Sequence, residues 1–384
     1  MRIAFVTDAY IPVPSGTAVS IEILKVALEK LGHKVFIFAP EYPGLRHKEK
    51  RVARLPSIFS LTNPYAPIVF PVFSPNKKLI KKLGLDIVHS HYFFRPFNFA
   101  KSLADTAGVP LVSTFYKIFP EYARQNKSIF SGFDKILNQT IRFANSCDHI
   151  IALSQTSRNY LADLNITAPM TVLPVGIFLK DYTSFPPQAV KERFNIPPSR
   201  KLLLYVARCE DDANMILLLK AFKRVWKALD DVHLLIVGGG RKFNDYRRLA
   251  HLQLFNQYVT FTGFLPKNLV NKIYGAADVF VYPKTLDPEP LAVIESLAAG
   301  TPVVAVKGLG AQDFVSDNQD GLISSVSVEE FADKIIELTR RDKMRLEFSL
   351  RARANAKRFR ASNLTCDLVE LYESVISRNK DKFF

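Results

Sequence analysis

The sequence predicts an α/β protein made of two doubly wound domains in series, with a cleft between them. The chain has 384 residues, which is more than one ordinary core accommodates. In both halves, short runs rich in Val, Ile and Leu alternate with segments of helical length, as buried parallel strands and their crossover helices do. A polar, Pro-rich segment from about Lys180 to Lys201 separates the two series.

The first half opens with a strand–helix–strand unit. The apolar run Ile3–Thr7 leads into a loop rich in Pro, Gly and Ser. The next segment carries Val19, Ile23 and Val26 at helical spacing and ends near Gly32. Further strands are predicted at KVFIFA, GLDIVHSH, GVPLVSTF, CDHIIALS and PMTVLPVGI.

The second half repeats the alternation. Its predicted strands are KLLLYVAR, VHLLIVGGG, YVTFTGF, ADVFVYP and TPVVAV, and its clearest helices are ANMILLLKAFKRVWKAL and PLAVIESLAAG. We therefore place a domain boundary between residues 185 and 186, which gives a first domain of residues 1–185 and a second of residues 186–384. The terminal helix, NLTCDLVELYESVISRN, could pack on the second domain or back on the first.

Composition bounds the class of protein. Hydrophobic residues make up 48% and charged residues 23%, as in a soluble globular protein. No signal-peptide pattern and no apolar run of membrane-spanning length is found. Because the three cysteines, Cys147, Cys209 and Cys366, are far apart, neither a disulfide framework nor a zinc site is indicated. We expect a cytoplasmic protein without a metal cofactor.

The net charge of +16 indicates an anionic partner. Basic clusters occur at LRHKEKR, NKKLIKK and RARANAKRFR, and each alone is typical of a solvated helix face. In KKLIKKLG, Leu79, Ile80 and Leu83 are interleaved with lysines, a pattern shared by interfacial helices and core-facing helices. An anionic membrane surface, at the inner face of the membrane, is one candidate partner. No nucleic acid is expected, since no binding motif accompanies the charge.

The loop after the first strand is a candidate phosphate site. Ser15 and Gly16 directly precede a helix, whose backbone N–H groups attract phosphate where a glycine permits close approach. An ordinary strand-to-helix turn explains the same residues. Neither a Walker motif nor GxGxxG is present, because VGGG lacks the spacing.

The second half carries the stronger candidates. Arg208 follows a strand, where a charge is directed toward a ligand cleft, although Glu210 or Asp211 could instead pair with it. Asp287 precedes a helix that starts near Pro290 or Leu291, and Glu295 lies in its second turn. The helix N-terminus offers N–H donors to a diphosphate, and the two carboxylates accept from the two sugars of a nucleotide-sugar. The alternative is that Asp287 caps the helix and Glu295 is on the surface.

The chain resembles a family 4 glycosyltransferase of the GT-B fold, whose domains are Rossmann-like. The resemblance rests on GHKVFIFAP, DIVHSH, LPVGI, LLKAF, FTGFLPK, YGAADVFVYP and LAVIESLAAGTPVVA in this order. It implies that the chain transfers a hexose from a nucleotide-sugar onto a lipid or saccharide, with retention of configuration, and that the donor is UDP-linked in the nearest branch. Residues 1–185 would then be the acceptor domain and residues 186–384 the nucleotide-sugar domain. It also implies that Glu295 holds the nucleotide ribose, that Arg208 neutralises the leaving diphosphate, that Gly16 belongs to a glycine-rich donor loop, and that no metal is needed.

Several positions depart from the family pattern. Asp287 stands where the family has a first Glu, Pro290 where a Gly follows it, and Ala213 where a lysine pairs with the arginine. Tyr116 replaces a histidine of the lipid-modifying branch.

Two hypotheses follow from these departures. Lys284, directly after a strand, could supply the missing cation, and Asp287, Arg208 and Tyr116 are then the candidate catalytic residues. The alternative is a non-catalytic protein that keeps the fold and binds an anionic membrane surface or a partner. His89 and His91 are interpreted as loop packing, since no third ligand is at metal spacing.

Overall fold

The computed structural model describes residues 1–13, 15–42, 49–60, 63–69, 77–91, 97–116, 133–182, 185–252 and 256–381. The chain forms two compact units, one of Met1–Gly176 with Ala361–Phe384 and one of Ile177–Arg360. The sequence placed this boundary at residues 185 and 186. Residues from Ile177 onward pack with the second unit because the amide of Ile177 donates to the carbonyl of Phe359 (2.8 Å).

The first unit contains a parallel sheet of seven strands in the order β3-β2-β1-β6-β7-β8-β9. Its strands are β1 (Arg2–Thr7), β2 (Lys34–Pro40), β3 (Val52–Leu55), β6 (Ile87–His91), β7 (Leu111–Thr114), β8 (His149–Ala152) and β9 (Met170–Val172). A separate antiparallel pair consists of β4 (Ser57–Ser60) and β5 (Asn63–Val69). The sequence pattern did not predict β3, β4 or β5, which are short and interrupted by polar residues.

Helices of the first unit follow its strands along the chain. They are α1 (Gly16–Lys30), α2 (Lys77–Leu83), α3 (Phe97–Ala107), α4 (Phe133–Asn145), α5 (Gln155–Asp163) and the terminal helix α14 (Ala361–Asp381). The terminal helix packs on α1, and Leu368, Tyr372 and Val375 enter the same core as Ile21 and Leu24. This burial of apolar surface ties the last residues of the chain to the first unit.

The second unit contains a parallel sheet of six strands in the order β12-β11-β10-β13-β14-β15. Its strands are β10 (Lys201–Val206), β11 (Val232–Val237), β12 (Val259–Phe261), β13 (Val279–Tyr282), β14 (Val303–Val306) and β15 (Gly321–Ser324). Its helices are α6 (Pro187–Arg193), α7 (Met215–Ala228), α8 (Phe243–Leu252), α9 (Lys267–Ala276), α10 (Leu291–Ala299), α11 (Ala311–Phe314), α12 (Val328–Arg340) and α13 (Asp342–Ala356).

The strand order reverses direction once in each sheet. In the second sheet, β10 lies between β11 and β13. Strands β10 to β12 follow one another toward one edge of the sheet, and strands β13 to β15 follow one another toward the other edge. In the first sheet the same reversal lies between β1 and β6. In open α/β sheets of this kind, ligands bind at the carboxyl ends of the strands beside the reversal. The loops after β10, β13, β1 and β6 are therefore the places to look for a site.

Candidate active site

The loops after β10 and β13 are tied together by hydrogen bonds at the reversal point of the second sheet. Asn214, in the left-handed conformation (φ 50°), donates from its side chain to the carbonyl of Pro283 (2.8 Å). The Tyr205 hydroxyl donates to the carbonyl of Ala213 (2.7 Å). Ala213 is fully buried, so the position where the family resemblance implies a lysine is a packed turn that presents no side-chain charge.

Lys284 brings an ammonium to this same place. Its Nζ lies 3.2 Å from Oδ2 of Asp212 and 3.3 Å from Oδ2 of Asp287. Burial alone would lower the pKa of Lys284, but the charges of the two carboxylates outweigh burial and raise that pKa well above its ordinary value. Lys284 is therefore a fixed cation between the loop after β10 and the loop after β13.

Asp287 faces this cation rather than the helix behind it. The hydroxyl of Tyr282 donates to Asp287 Oδ2 (2.8 Å). Burial and the charge of Asp287 raise the pKa of Tyr282 well above its ordinary value, so this phenol stays a donor. The interpretation of Asp287 as a helix cap is wrong, because α10 begins at Leu291 after Pro290 without a side-chain cap. Leu291 is buried as the first residue of that helix.

A glycine pair fixes the backbone of the turn that carries Asp287. A Cβ on Gly308 would lie 2.4 Å from the carbonyl oxygen of Thr285, and one on Gly310 would lie 2.2 Å from that of Asp287. The amide of Leu309 also donates to the Thr285 carbonyl (2.8 Å). Since these contacts are with backbone, any larger residue must displace the turn. The GLG sequence after β14 was a signal that the sequence analysis missed.

Arg208 is held by a carboxylate that a second arginine also binds. Its Nη2 lies 3.0 Å from Oε1 of Glu210, as the alternative interpretation anticipated, and Arg241 Nε donates to Oε2 of Glu210 (2.8 Å). Burial would raise the pKa of Glu210, but the hydrogen bond from Arg241 and the charge of Arg208 lower it overall. Arg241, which also pairs with Asp211 (3.1 Å), was not found from the sequence.

Glycines after β11 allow the Arg241 loop to pass beside the backbone of Arg208. A Cβ on Gly238 would lie 2.0 Å from the carbonyl oxygen of Ala207, and one on Gly240 would lie 2.6 Å from that of Cys209. Both glycines have positive φ angles, 133° and 150°. VGGG is thus a close-packing sequence that places Arg241 against Glu210.

Glu295 is buried in the second turn of α10 and has two partners. It is 5% exposed, so its interpretation as a surface residue is wrong. Its Oε1 accepts from the hydroxyl of Tyr182 (2.9 Å) and forms an ion pair with Lys267, the first residue of α9. Burial and the charge of Glu295 raise the pKa of Tyr182 far above its ordinary value. Neither Tyr182 nor Lys267 was predicted, since nothing in the sequence links them to Glu295.

In the first unit, the predicted donor loop forms the start of α1. The side chain of Ser15 caps this helix by accepting from the amide of Ala18 (3.1 Å), and Gly16 is its exposed first residue. The hydroxyl of Ser15 therefore serves the helix, while the Gly16 position keeps the exposure that a ligand needs.

Tyr116 lies just beyond β7 and contacts a buried histidine. Its hydroxyl is 3.2 Å from Nδ1 of His91, the last residue of β6. His89 contacts the hydroxyls of Tyr372 (2.5 Å) and Thr114 (2.7 Å). The interpretation of the two histidines as loop packing is wrong, since both are buried on β6. Burial lowers the pKa of His89 to about 3, so it is neutral at physiological pH.

Two aromatic and basic stretches of the first half, which could take a lipid headgroup or merely pack, lie mostly outside the described residues. They are HSHYFFRPF, of which residues 92–96 are outside, and FYKIFPEYARQ, outside from residue 117 onward. Within the described ranges, no group of three or more His, Cys, Asp or Glu side chains is arranged to hold a metal ion.

Comparison with protein families decides the identity. Residues 14–180 match the model of glycosyltransferase family 4, and residues 188–355 match that of the group 1 glycosyl transferases. The chain is a glycosyltransferase with a family 4 domain followed by a group 1 domain. Both units of this glycosyltransferase are covered, and each match includes the loops described above.

Curated relatives of this glycosyltransferase include lipid-modifying enzymes. It is 29% identical over 330 residues to the α-monoglucosyldiacylglycerol synthase of Streptococcus pneumoniae, covering 84% of this chain and 75% of that one. It is 25% identical over 404 residues to the enzyme of the same name from Acholeplasma laidlawii, covering 100% and 99%.

Solved structures show that this glycosyltransferase has the GT-B fold. Sucrose-phosphate synthase from Thermosynechococcus elongatus is similar with a TM-score of 0.79 at 19% identity, over 98% of this chain and 100% of that one. HepE from Anabaena, solved with UDP and glucose, is similar with a TM-score of 0.78 at 18% identity, over 97% and 100%. The prediction of two doubly wound, Rossmann-like domains is confirmed.

Proposed function

We propose that this glycosyltransferase transfers a hexose from a UDP-sugar to a hydroxyl of a diacylglycerol-type lipid, with retention of the anomeric configuration. The observation that carries the proposal is the pair of cations at one reversal point, Arg208 after β10 and Lys284 after β13. A departing UDP needs its developing negative charge stabilised, and fixed cations do this without reorganisation. The lipid acceptor is supported by the similarity to the α-monoglucosyldiacylglycerol synthases.

The roles of the remaining residues follow from their positions. Arg208 has only one of its guanidinium nitrogens on Glu210, so other N–H donors can face a diphosphate. Glu295, held by Tyr182 and Lys267, accepts from the nucleotide ribose. Asp287 accepts from the donor sugar. Transfer proceeds without a metal because the cations are built into the protein.

The family resemblance assigns Gly16 to the donor loop and the position of Tyr116 to the acceptor side. The contact between Tyr116 and His91 orients the phenol (3.2 Å). In the absence of the family's histidine, a phosphate oxygen of the donor takes the acceptor proton, and Tyr116 positions the hydroxyl that loses it.

A membrane surface delivers the lipid. No helix in the described part of the chain is long and apolar enough to cross a bilayer. Helix α2 instead has exposed Lys77, Lys78, Lys81 and Lys82 beside Leu79, which is 60% exposed, while Ile80 is buried. This pattern is typical of contact with anionic lipid headgroups.

The test is transfer from a panel of labelled UDP-hexoses to diacylglycerol in mixed micelles, with the product's anomeric configuration read by NMR. We expect α-linked hexosyl-diacylglycerol, no loss of rate with EDTA, and a rise in melting temperature with UDP. Arg208→Ala is expected to lose transfer at least a hundredfold. Absence of transfer from every donor, together with absence of a UDP-induced thermal shift, contradicts the proposal.

A further inference from the structure

Helix α13 of the second unit packs one apolar face and leaves two leucines exposed on its outer side. Its inward face buries Phe348, Ala352 and Ala356. On its outer side, Leu346 and Leu350 are 65% and 63% exposed. Each is two positions from Phe348, which is roughly 200° around an α-helix. A helix that packs one apolar face normally presents a polar face to water, and on α13 the two leucines interrupt that face beside the exposed Glu347 and Arg351.

The two leucines form a patch rather than isolated exposures. They are one helical turn apart, and no other two large apolar side chains in the described ranges are both exposed and so spaced on one helix. Single exposed apolar side chains are ordinary on protein surfaces. A pair on one helix face is a candidate contact surface.

Exposed lysines flank this patch along the helix axis. Lys343 precedes Leu346 by one turn, and Lys357 follows Leu350 by two turns, both exposed. The acidic Asp342 is already paired with Lys201 (3.0 Å) and with Arg345 (2.5 Å). Leucines between lysines suit a surface that is apolar inside and anionic outside.

The occupant that fits this chemistry is an anionic lipid surface. Basic residues near anionic headgroups are attracted to them, while the leucines enter the acyl boundary. A protein partner fits less well, because the cores of protein interfaces are depleted in lysine. A second copy of this chain would bring the same lysines to face one another.

We propose that the outer face of α13, made of Lys343, Leu346 and Leu350 and extended by Lys357 just beyond the end of the helix, lies on anionic membranes and gives the second unit a membrane contact of its own. This contact is distinct from α2, which belongs to the first unit. Only the role of this contact rests on the proposed function: it would hold the nucleotide-sugar unit at the surface where a lipid acceptor is found.

The leucine contribution is tested by co-sedimentation of the full chain with vesicles of phosphatidylglycerol and phosphatidylcholine. Leu346→Ser/Leu350→Ser is expected to lower the partition coefficient about tenfold. The matched control, Ile216→Ser/Leu252→Ser, removes two side chains of the same unit that are 55% and 67% exposed. It is expected to change partition by less than about twofold.

The charge contribution is tested by replacing two lysines with glutamates, either at the α13 surface or on α7, so that both variants change the net charge equally. Lys343→Glu/Lys357→Glu is expected to lower partition about tenfold or more. Lys220→Glu/Lys227→Glu, on exposed positions of α7, is expected to lower it by less than about threefold. Equal losses in the two charge variants, or no loss in either α13 variant, overturn the proposal.

A direct readout comes from placing tryptophan on the face. Leu350→Trp is expected to shift its emission to the blue on addition of the anionic vesicles, whereas Leu252→Trp is not. A concentration-dependent dimer that Leu346→Ser/Leu350→Ser abolishes, without any emission shift, assigns the face to a second copy and overturns the proposal. Melting temperatures equal to that of the wild type establish that the variants are folded.

Failure of this proposal and of the proposed function are distinguishable. Transfer to a short-chain, water-soluble diacylglycerol is expected to be unchanged in the leucine variant, because the variant leaves the donor site intact. A wild-type protein that transfers nothing but binds vesicles through α13 contradicts only the proposed function. One that transfers sugar but binds vesicles equally well without the two leucines contradicts only the α13 proposal.

Discussion

Removing the side chain of Lys284 tests whether this lysine is the second cation of the donor site. In the wild type, the Lys284 ammonium lies 3.2 Å from the Asp212 carboxylate and 3.3 Å from the Asp287 carboxylate. In Lys284→Ala both carboxylates keep their negative charges but lose this ammonium. The summed charge of one ammonium and two carboxylates, −1 in the wild type, then becomes −2 where the diphosphate is proposed to lie. Like charges at such separations disfavour an incoming anion.

The magnitude follows from the geometry. Two unit charges about 4 Å apart interact by about 4 kcal/mol at an effective dielectric constant of 20. Loss of one preorganised group that stabilises transition-state charge costs about 3 kcal/mol, or a hundredfold to a thousandfold in kcat. The side chain of Lys284 is 16% exposed and its partners are 26–29% exposed, so the stability cost lies between those of surface and buried pairs, about 2 kcal/mol.

The assay compares kcat and KM for the UDP-sugar in Lys284→Ala, Lys284→Arg and a matched control, Lys242→Ala. Lys242 is also close to acidic residues, Asp211 (4.0 Å) and Asp245 (3.5 Å), but its side chain is 40% exposed. We expect a fall in kcat of at least a hundredfold for Lys284→Ala, partial recovery for Lys284→Arg, and less than about threefold change for Lys242→Ala. If kcat of Lys284→Ala stays within about threefold of wild type while Arg208→Ala is inactive, the reasoning is refuted.

Other expectations concern the supports of the site and the core. Glu210→Gln should lower the melting temperature at pH 7, and the difference from wild type should shrink in acid, since a lowered pKa means that the Glu210 contribution is lost as pH falls through it. Gly310→Ala should lower kcat at least tenfold with a modest loss of stability, because its Cβ meets the Asp287 carbonyl at 2.2 Å; wild-type kinetics would show that the turn adapts. Burial, with a smaller effect of Arg200, lowers the pKa of His233 to about 4, below the unfolded value of about 6.5. The unfolded chain therefore binds more protons between pH 6.5 and 4, so the free energy of unfolding should decrease by up to about 3 kcal/mol as the pH falls through that window. Urea unfolding at several pH values should show a shallower dependence of this free energy on pH in His233→Gln than in the wild type.

The elements that the sequence predicted are those with strong local signals. The start of α10 near Leu291 is confirmed, and its end at Gly300, which has φ 80°, is confirmed as well. The doubly wound alternation is confirmed, because most residues of the buried parallel strands are apolar. Arg208 lies just beyond the end of β10, as its place after an apolar run indicated.

The partners of the site residues were beyond sequence reasoning because they are distant along the chain. Arg241 is 31 positions from Glu210, and Tyr182 is 113 positions from Glu295. The parallel pairing of β10 with β11 brings Arg241 to Glu210, since both residues follow the carboxyl ends of these strands. Glu295 lies inside α10 and meets Tyr182 away from the strand ends. No local periodicity carries that information.

The structure also changes how the departures from the family pattern combine. Taken one at a time, Ala213 means the loss of the family's lysine, and Asp287 means a carboxylate side chain that is one methylene shorter than the family's glutamate. In the folded unit they belong to one network, because Asp212, next to Ala213, and Asp287 both pair with Lys284. We propose that a lysine carried by the loop after β13 takes the place of one carried by the loop after β10, since the turn at Ala213 is packed and presents no charge. On this proposal one relocation of charge accounts for two of the four departures, Ala213 and Asp287, so these two count as a single change and not as two independent losses. Independent decay of a donor site would leave Asp212 and Asp287 with no reason to converge on a common ammonium.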